Sequence, residues 1–311
     1  MKKILLALFA FLGVILILPL IIVELMGGSG NKTAKDDELI SVYFADEDEV
    51  KEINAGEYLV GVVAAEMPAE FDEEALKAQA AAARTYMTYH SAKSKEHKGG
   101  AAVCTDHTHC QAWVDINDKM EAWGGDAKKY RKKIEKAVSD TADELIKYNG
   151  EPINAVFFST SSGHTENSAD VWGEALPYLV SVESPGEENA PKFTSEASFT
   201  LDEAKSRLSG AFNITSFTEP LFSDIERTDS GAVKTVNVCG NTVKGTELRT
   251  AFDLNSANIE ITEAGGAVKF NVRGYGHGVG MSQYGANAMA KNGADYKEIL
   301  THYYTGAEVS K

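Results

Sequence analysis

The sequence predicts an α+β fold preceded by one N-terminal transmembrane helix. Three observations carry this: an uncharged apolar run over residues 4–23, helical apolar spacing from residue 57 to about 90, and short β-like runs alternating with turns over 186–265. The chain has 311 residues, 30 Lys+Arg against 46 Asp+Glu, and a formal charge of -16. That balance argues against nucleic acid as a partner, because affinity for a phosphate backbone comes mainly from clustered Lys and Arg. At 43% hydrophobic and 24% charged the chain can bury a core, and its 3 cysteines are too few for a disulfide framework.

After Lys2 and Lys3, the run Ile4–Val23 is long enough, at about 1.5 Å per residue, to cross a hydrocarbon core of about 30 Å. A cleaved signal peptide is the alternative. The run exceeds the usual apolar region of roughly 7 to 15 residues, however, and Val23-Glu24-Leu25-Met26 lacks a small-x-small cleavage site. The lysines before it and the acids after it (Asp36, Asp37, Glu38) set residues 1–26 as a cytoplasmic N-terminus and membrane anchor, with everything beyond extracytoplasmic. Residues 27–38, opening GGSGNKTAK, read as a flexible linker. The folded region, 39–311, reads as mostly helical to about 90 and loop-rich from 91 to 130. A Lys-rich helix then leads into a strand over 131–185. The strand and turn region follows, and 266–311 holds one strand, a Gly-rich loop and two helical stretches.

In EYLVGVVAAEMP (57–68), apolar residues at 58, 59, 62 and 63 keep helical spacing, and Glu66 falls on the same apolar face. Pro68 biases Met67 away from helical geometry, so the helix stops at about Glu66. Desolvation there raises a carboxyl pKa, the condition for a general acid near neutral pH. The bland alternative is a partly exposed helix-terminal Glu. A second helix follows with Asp72 as N-cap and an alanine run, Ala80–Ala83, that lets another element approach closely. Lys77 and Arg84, seven apart, share one face and offer cations to an anionic or polar ligand, or else form a solvated stripe pairing with Glu73 and Glu74.

The segment VCTDHTHCQAW (103–113) offers Cys104, His109 and Cys110, with His97 or His107 as a fourth donor, a set that suits tetrahedral zinc. Four protein ligands would make the site structural. A Cys104–Cys110 disulfide is the competing reading. Cys239 reads as a buried apolar filler. Two polar loops remain. One, within 153–172, carries small hydroxyls beside Trp172, as carbohydrate clefts do, although such turns are also common without a ligand. The other, RGYGHGVGMSQYGA (273–286), sets His277 among glycines and then opens a helix, so it can bring backbone N–H groups onto a substrate.

AAEMP at 64–68, EALKAQAAAARTY at 74–86, STSSGHT at 159–165 with Trp172, and GYGHGVGMSQYGA at 274–286 together resemble the stage II sporulation protein D family, in order and approximate spacing, as does the N-terminal span. His164 stands where the motif would have glycine. The resemblance implies a two-lobed α+β domain around a substrate cleft, with 186–260 as a second lobe or insertion. It implies a membrane-anchored lytic transglycosylase acting on peptidoglycan glycan strands at the sporulation septum and engulfing membrane, with the amidase stage II sporulation protein P and stage II sporulation protein M as partners. It also implies zinc in the loop matching 97–110, on His97, Cys104, His109 and Cys110.

A glycosidase ordinarily needs two carboxylates, and only Glu66 is well placed. A lytic transglycosylase needs one, because the muramyl C6 hydroxyl is the internal nucleophile. On that reading Glu66 is catalytic. Lys77 and Arg84 position the sugar or its lactyl carboxylate, and Ser161, Ser162, Thr165, His277 and Gln283 bond sugar hydroxyls and N-acetyl groups. Two other readings stay open: a non-catalytic wall-binding enhancer of an amidase, and a zinc hydrolase using the 97–110 cluster.

Overall fold

A computed structural model describes residues 36–92 and 97–311. The Ile4–Val23 run lies outside the described residues, among which no helix is long and apolar enough to cross a membrane. Residues 39–54 are not helical as the sequence suggested. β1 (Leu39–Phe44) and β2 (Glu49–Asn54) form an antiparallel hairpin, and β3 (Val103–Cys104) joins β1 in parallel. Ile40, Val42 and Phe44 are buried while their neighbours are less so, the period of two that a strand imposes.

The two site-bearing helices begin and end where local chemistry dictates. Asn54 caps α1 (Ala55–Glu66) by accepting from the Glu57 N–H, and Met67 leaves the helix at φ -118°, ψ 142°, the extended geometry that Pro68 requires. Asp72 caps α2 (Glu73–Ser91) by accepting from the Glu74 N–H at 3.1 Å. Ala80–Ala83 are wholly buried, which makes α2 the central post of a helical core. Against it pack α1, α4 (Ala127–Asp140), α8 (Gln283–Lys291) and α9 (Tyr296–Tyr303). Between them run α3 (Ile116–Trp123), β4 (Leu145–Tyr148), β5 (Glu151–Pro152), β6 (Phe157–Phe158) and α5 (Ser168–Trp172). The last strand, β14 (Glu308–Ser310), pairs with β4.

A second hydrophobic core lies among the later strands. Strands β8 (Phe222–Arg227), β9 (Val233–Val238) and β10 (Asn241–Lys244) form one sheet, and β7 (Thr194–Thr200), β11 (Asn258–Ala264) and β12 (Ala267–Arg273) another. With α6 (Leu201–Phe212) and α7 (Gly245–Phe252) they enclose Val236, Leu248, Phe252, Ile259, Val268 and Phe270. This core reaches Val272 on β12, the middle strand of its sheet. The two helices were not expected among strands and turns. A Thr200/Glu203 capping box fixes the start of α6. Cys239, read as a buried apolar filler, packs against this core but is only half-buried, in the β9–β10 turn at φ 49°.

Candidate active site

Glu66 ends α1 at one side of a groove of about 360 Å³, lined also by Pro68, Glu70, Lys119, Trp123, Ser159, Thr160, Lys192, Tyr275, Gln283 and Tyr284. The Ala112 N–H donates to its Oε1 at 2.7 Å and Gln283 Nε2 donates to its Oε2 at 3.1 Å. Glu66 lines the groove and is half-buried as a residue, yet protein encloses most of its carboxyl. Burial therefore raises the Glu66 pKa above the ordinary carboxylate range, although both hydrogen bonds and the nearby His107 favour the ionised form. Lys192 Nζ lies 4.1 Å from the Tyr275 ring centroid, and Tyr284 stacks edge-on against Phe71 at 4.9 Å. A larger depression, about 1240 Å³, holds none of the predicted residues, and acids such as Asp37, Glu47, Glu57 and Asp115 dominate its wall.

A short parallel pairing of β6 with β13 (Met281–Ser282) brings the two polar loops together, with Met281 opposite Phe157 and Ser282 opposite Phe158. Glycine is required at 280, where φ is +79° and a Cβ would stand 2.1 Å from the Val156 carbonyl. The pairing delivers Gln283 to Glu66. His277 instead serves the loop's own fold. Its Nε2 donates to the Phe157 carbonyl at 3.0 Å and its Nδ1 accepts from the Val279 N–H at 3.1 Å. The residue is half-buried overall, both nitrogens are bonded within the protein, and burial drives its pKa down to about 4. Ser161 and Thr165 are buried, Ser161 on Glu187 and Thr165 on the Val180 carbonyl and Val182 N–H. Ser162 accepts from Asn258 Nδ2 at 3.0 Å beside a cavity of about 40 Å³, apart from Glu66.

The two expected ligand cations are also engaged elsewhere. Arg84 is 0% exposed; its guanidinium pairs twice with Asp36, at 2.7 and 2.8 Å, and donates to the Thr141 and Val138 carbonyls at 2.8 and 2.9 Å. Lys77 pairs with Glu74 at 2.8 Å and Asp140 at 3.4 Å. Both are fastened inside the fold because the shared face packs against the end of α4. Trp172 is 46% exposed, beside His277 at 5.3 Å, and lines a different depression. Of the predicted residues, then, Glu66 and Gln283 meet in the groove. Sequence reasoning missed Trp123, Tyr275, Tyr284, Lys119 and Lys192; the two tyrosines lay inside a quoted motif, whereas Trp123 had no signal.

The predicted metal donors do converge. His97, Cys104, His109 and Cys110 each place one donor atom so that all lie within 4.8 Å of one another. His109 Nδ1 is 3.5 Å from both sulfurs and His97 Nε2 is 3.0 Å from Cys110 Sγ. Zinc bonds of about 2.3 Å to sulfur and 2.0 Å to nitrogen in a tetrahedron imply nitrogen–sulfur separations of about 3.5 Å, so the donor set fits the ion. The two thiols are free rather than joined. The Cys104 hydrogen bond draws the Cys110 thiol down to about 7, and Cys104 is pushed well up in return.

The description "Stage II sporulation protein" is that of a family model matching residues 43–148. The chain is 39% identical over 280 residues to stage II sporulation protein D of Bacillus amyloliquefaciens, covering 88% of this chain and 78% of that one. It is 38% identical over 273 residues to its namesake in Bacillus subtilis, covering 88% and 79%. The chain belongs to the stage II sporulation protein D family. More distantly, it is 28% identical over 303 residues to an amidase enhancer of Bacillus subtilis, covering 81% of this chain and 40% of that protein. Membership makes this a sporulation protein, and the family match spans Glu66, the metal donors and Trp123.

Proposed function

We propose that this member is a membrane-anchored lytic transglycosylase that cleaves the MurNAc-GlcNAc bond of peptidoglycan glycan strands and leaves 1,6-anhydroMurNAc ends. The observation that carries the reading is a single enclosed carboxyl, Glu66, with raised pKa in a groove walled by Trp123, Tyr275 and Tyr284. Such a carboxyl holds its proton towards neutral pH. Glu66 gives that proton to the leaving glycosidic oxygen as the bond from C1 breaks. The resulting carboxylate takes the proton of the muramyl C6 hydroxyl, whose oxygen closes on C1. Both partners sit in one molecule, so the attack gains the effective molarity of an intramolecular reaction. Gln283 and the Ala112 N–H aim the carboxyl and stabilise it while it is charged. Aromatic rings meet the apolar faces of sugars, and Lys119 and Lys192 on the walls suit a glycan bearing free lactyl carboxylates, that is, one stripped of stem peptides.

Zinc, held by His97, Cys104, His109 and Cys110, would supply a structural cross-link rather than an open catalytic position. The reading places the domain outside the cell membrane at the sporulation septum, anchored through residues 4–23. Its partners there are the stage II sporulation protein P amidase, which supplies stripped strands, and stage II sporulation protein M. The amidase-enhancer relative favours a second reading, a wall-binding module that activates an amidase without cleaving glycan. The test is incubation of the purified protein, alone, with glycan strands with and without stem peptides. Products lighter by one water than hydrolytic ends support the transglycosylase; intact strands support the enhancer.

A further inference from the structure

Glu187 lies outside the groove, 2% exposed, and accepts four hydrogen bonds. Its Oε1 accepts from Ser161 Oγ at 2.7 Å and Ser184 Oγ at 2.6 Å; its Oε2 accepts from the Ser161 N–H at 2.9 Å and Ser282 Oγ at 2.6 Å. Burial raises its pKa, and the four donors oppose that by favouring the carboxylate. A buried carboxylate is costly unless every lone pair is met, and a fully met network fixes a unique arrangement. The fold also clears room for it. A Cβ on Gly285 would stand 2.1 Å from Tyr303 Oη, 2.3 Å from Ser184 Oγ and 2.7 Å from Glu187 Oε1.

The donors lead to the groove along two short paths. Ser282 caps α8, accepting from the Gly285 N–H at 3.3 Å, and the next residue is Gln283, which holds Glu66. Ser161 follows Ser159 and Thr160, both in the groove wall. The β6–β13 pairing sets these strands side by side, while the Glu187 carboxylate sets the first turn of α8 against the loop.

We propose that Glu187 is a positioning residue for the Glu66 site, holding Ser282 so that Gln283 stays on the Glu66 carboxyl and holding Ser161 so that the groove wall keeps its place. This rests on the reading of Glu66 as the acid, but its test does not need activity. Full-length protein labelled with ¹³C-glutamate is titrated in detergent micelles, the Glu66 signal being the one lost in Glu66→Gln. Glu187→Ala is expected to move the Glu66 midpoint upward, as Gln283→Ala does by removing a donor to the ionised form, and the double variant is expected to move it no further. Glu187→Gln is expected to restore the wild-type midpoint, because its amide oxygen can still take the Ser161 N–H and Ser282 hydroxyl while the Ser161 and Ser184 hydroxyls turn to accept. If Glu187→Ala does not fold, Ser282→Ala removes the same link and is expected to give the same shift. In glycan cleavage kcat is expected to fall about ten- to a hundredfold with KM little changed. A folded Glu187→Ala or Ser282→Ala protein with the wild-type Glu66 midpoint overturns the proposal. A wild-type protein that cleaves no glycan yet shows the shift sinks the transglycosylase reading instead.

Discussion

Gln283 and Glu66 are 217 positions apart in the chain, yet Gln283 Nε2 reaches Glu66 Oε2 at 3.1 Å. The end of α1 and the start of α8 therefore meet on one carboxyl. Burial favours its protonated form, while Gln283 and the Ala112 N–H favour the ionised one, and burial prevails. The pair thus supplies an acid that can be protonated before bond breaking and is held in place after it.

The pH dependence follows in sign. A general acid must start protonated, so cleavage is present below the Glu66 pKa and declines as pH rises through it. Gln283→Ala removes a bond to the ionised form and is expected to shift that decline to higher pH while lowering kcat. A pH–rate profile with an unmoved alkaline limb would contradict this.

Glu66 was legible because its cues are local: four apolar positions at helical spacing, then Met-Pro, which forces the helix to stop. The metal donors were legible for the same reason, three of the four lying within seven residues. Arg84 was misread because spacing gives the face of a helix but not what covers it, and its partners Asp36, Val138 and Thr141 lie 48, 54 and 57 positions away. Glu187 sits in ESPGEEN, at the start of the region read as strands and turns; Ser184 is three residues away, but only the tertiary fold brings Ser161 and Ser282 onto it. The β1–β2 hairpin hid in strands of six residues each.

Arg84 is accordingly expected to behave as a core residue. Removing one partner of a buried ion pair costs about 3–5 kcal/mol, so Arg84→Ala is expected to lower the denaturation midpoint strongly. Unchanged stability with a raised KM would return Arg84 to the role of ligand contact.

Metal content offers an independent check. Purified protein is expected to hold about one zinc per chain, and Cys110→Ser to lose both the ion and thermal stability, since structural zinc adds directly to folding free energy. A Cys104–Cys110 disulfide in folded, metal-free protein would refute this.

The anchor can be tested by fractionation. Full-length protein is expected to remain with membranes after a high-salt wash, and a version lacking residues 1–26 to be soluble, because an apolar helix of about 20 residues inserts essentially irreversibly. Soluble protein cleaved near residue 27 would mean a signal peptide.

The chemistry is decided by two carboxyls in one groove. Glu66 is enclosed and hydrogen-bonded, whereas Glu70, on the turn after α1, is exposed at the edge. If Glu66 alone works as acid and then base, Glu66→Gln keeps the shape without a transferable proton. It is expected to reduce cleavage by about 100- to 10,000-fold while leaving the melting temperature and glycan binding nearly unchanged. Glu70→Gln is expected to leave anhydro products as the outcome. Were Glu70 instead a base activating water, wild-type products would carry the extra water and Glu70→Gln would abolish them, making the enzyme a two-carboxylate hydrolase. Full activity in Glu66→Gln would place the acid elsewhere and remove the basis for the transglycosylase reading.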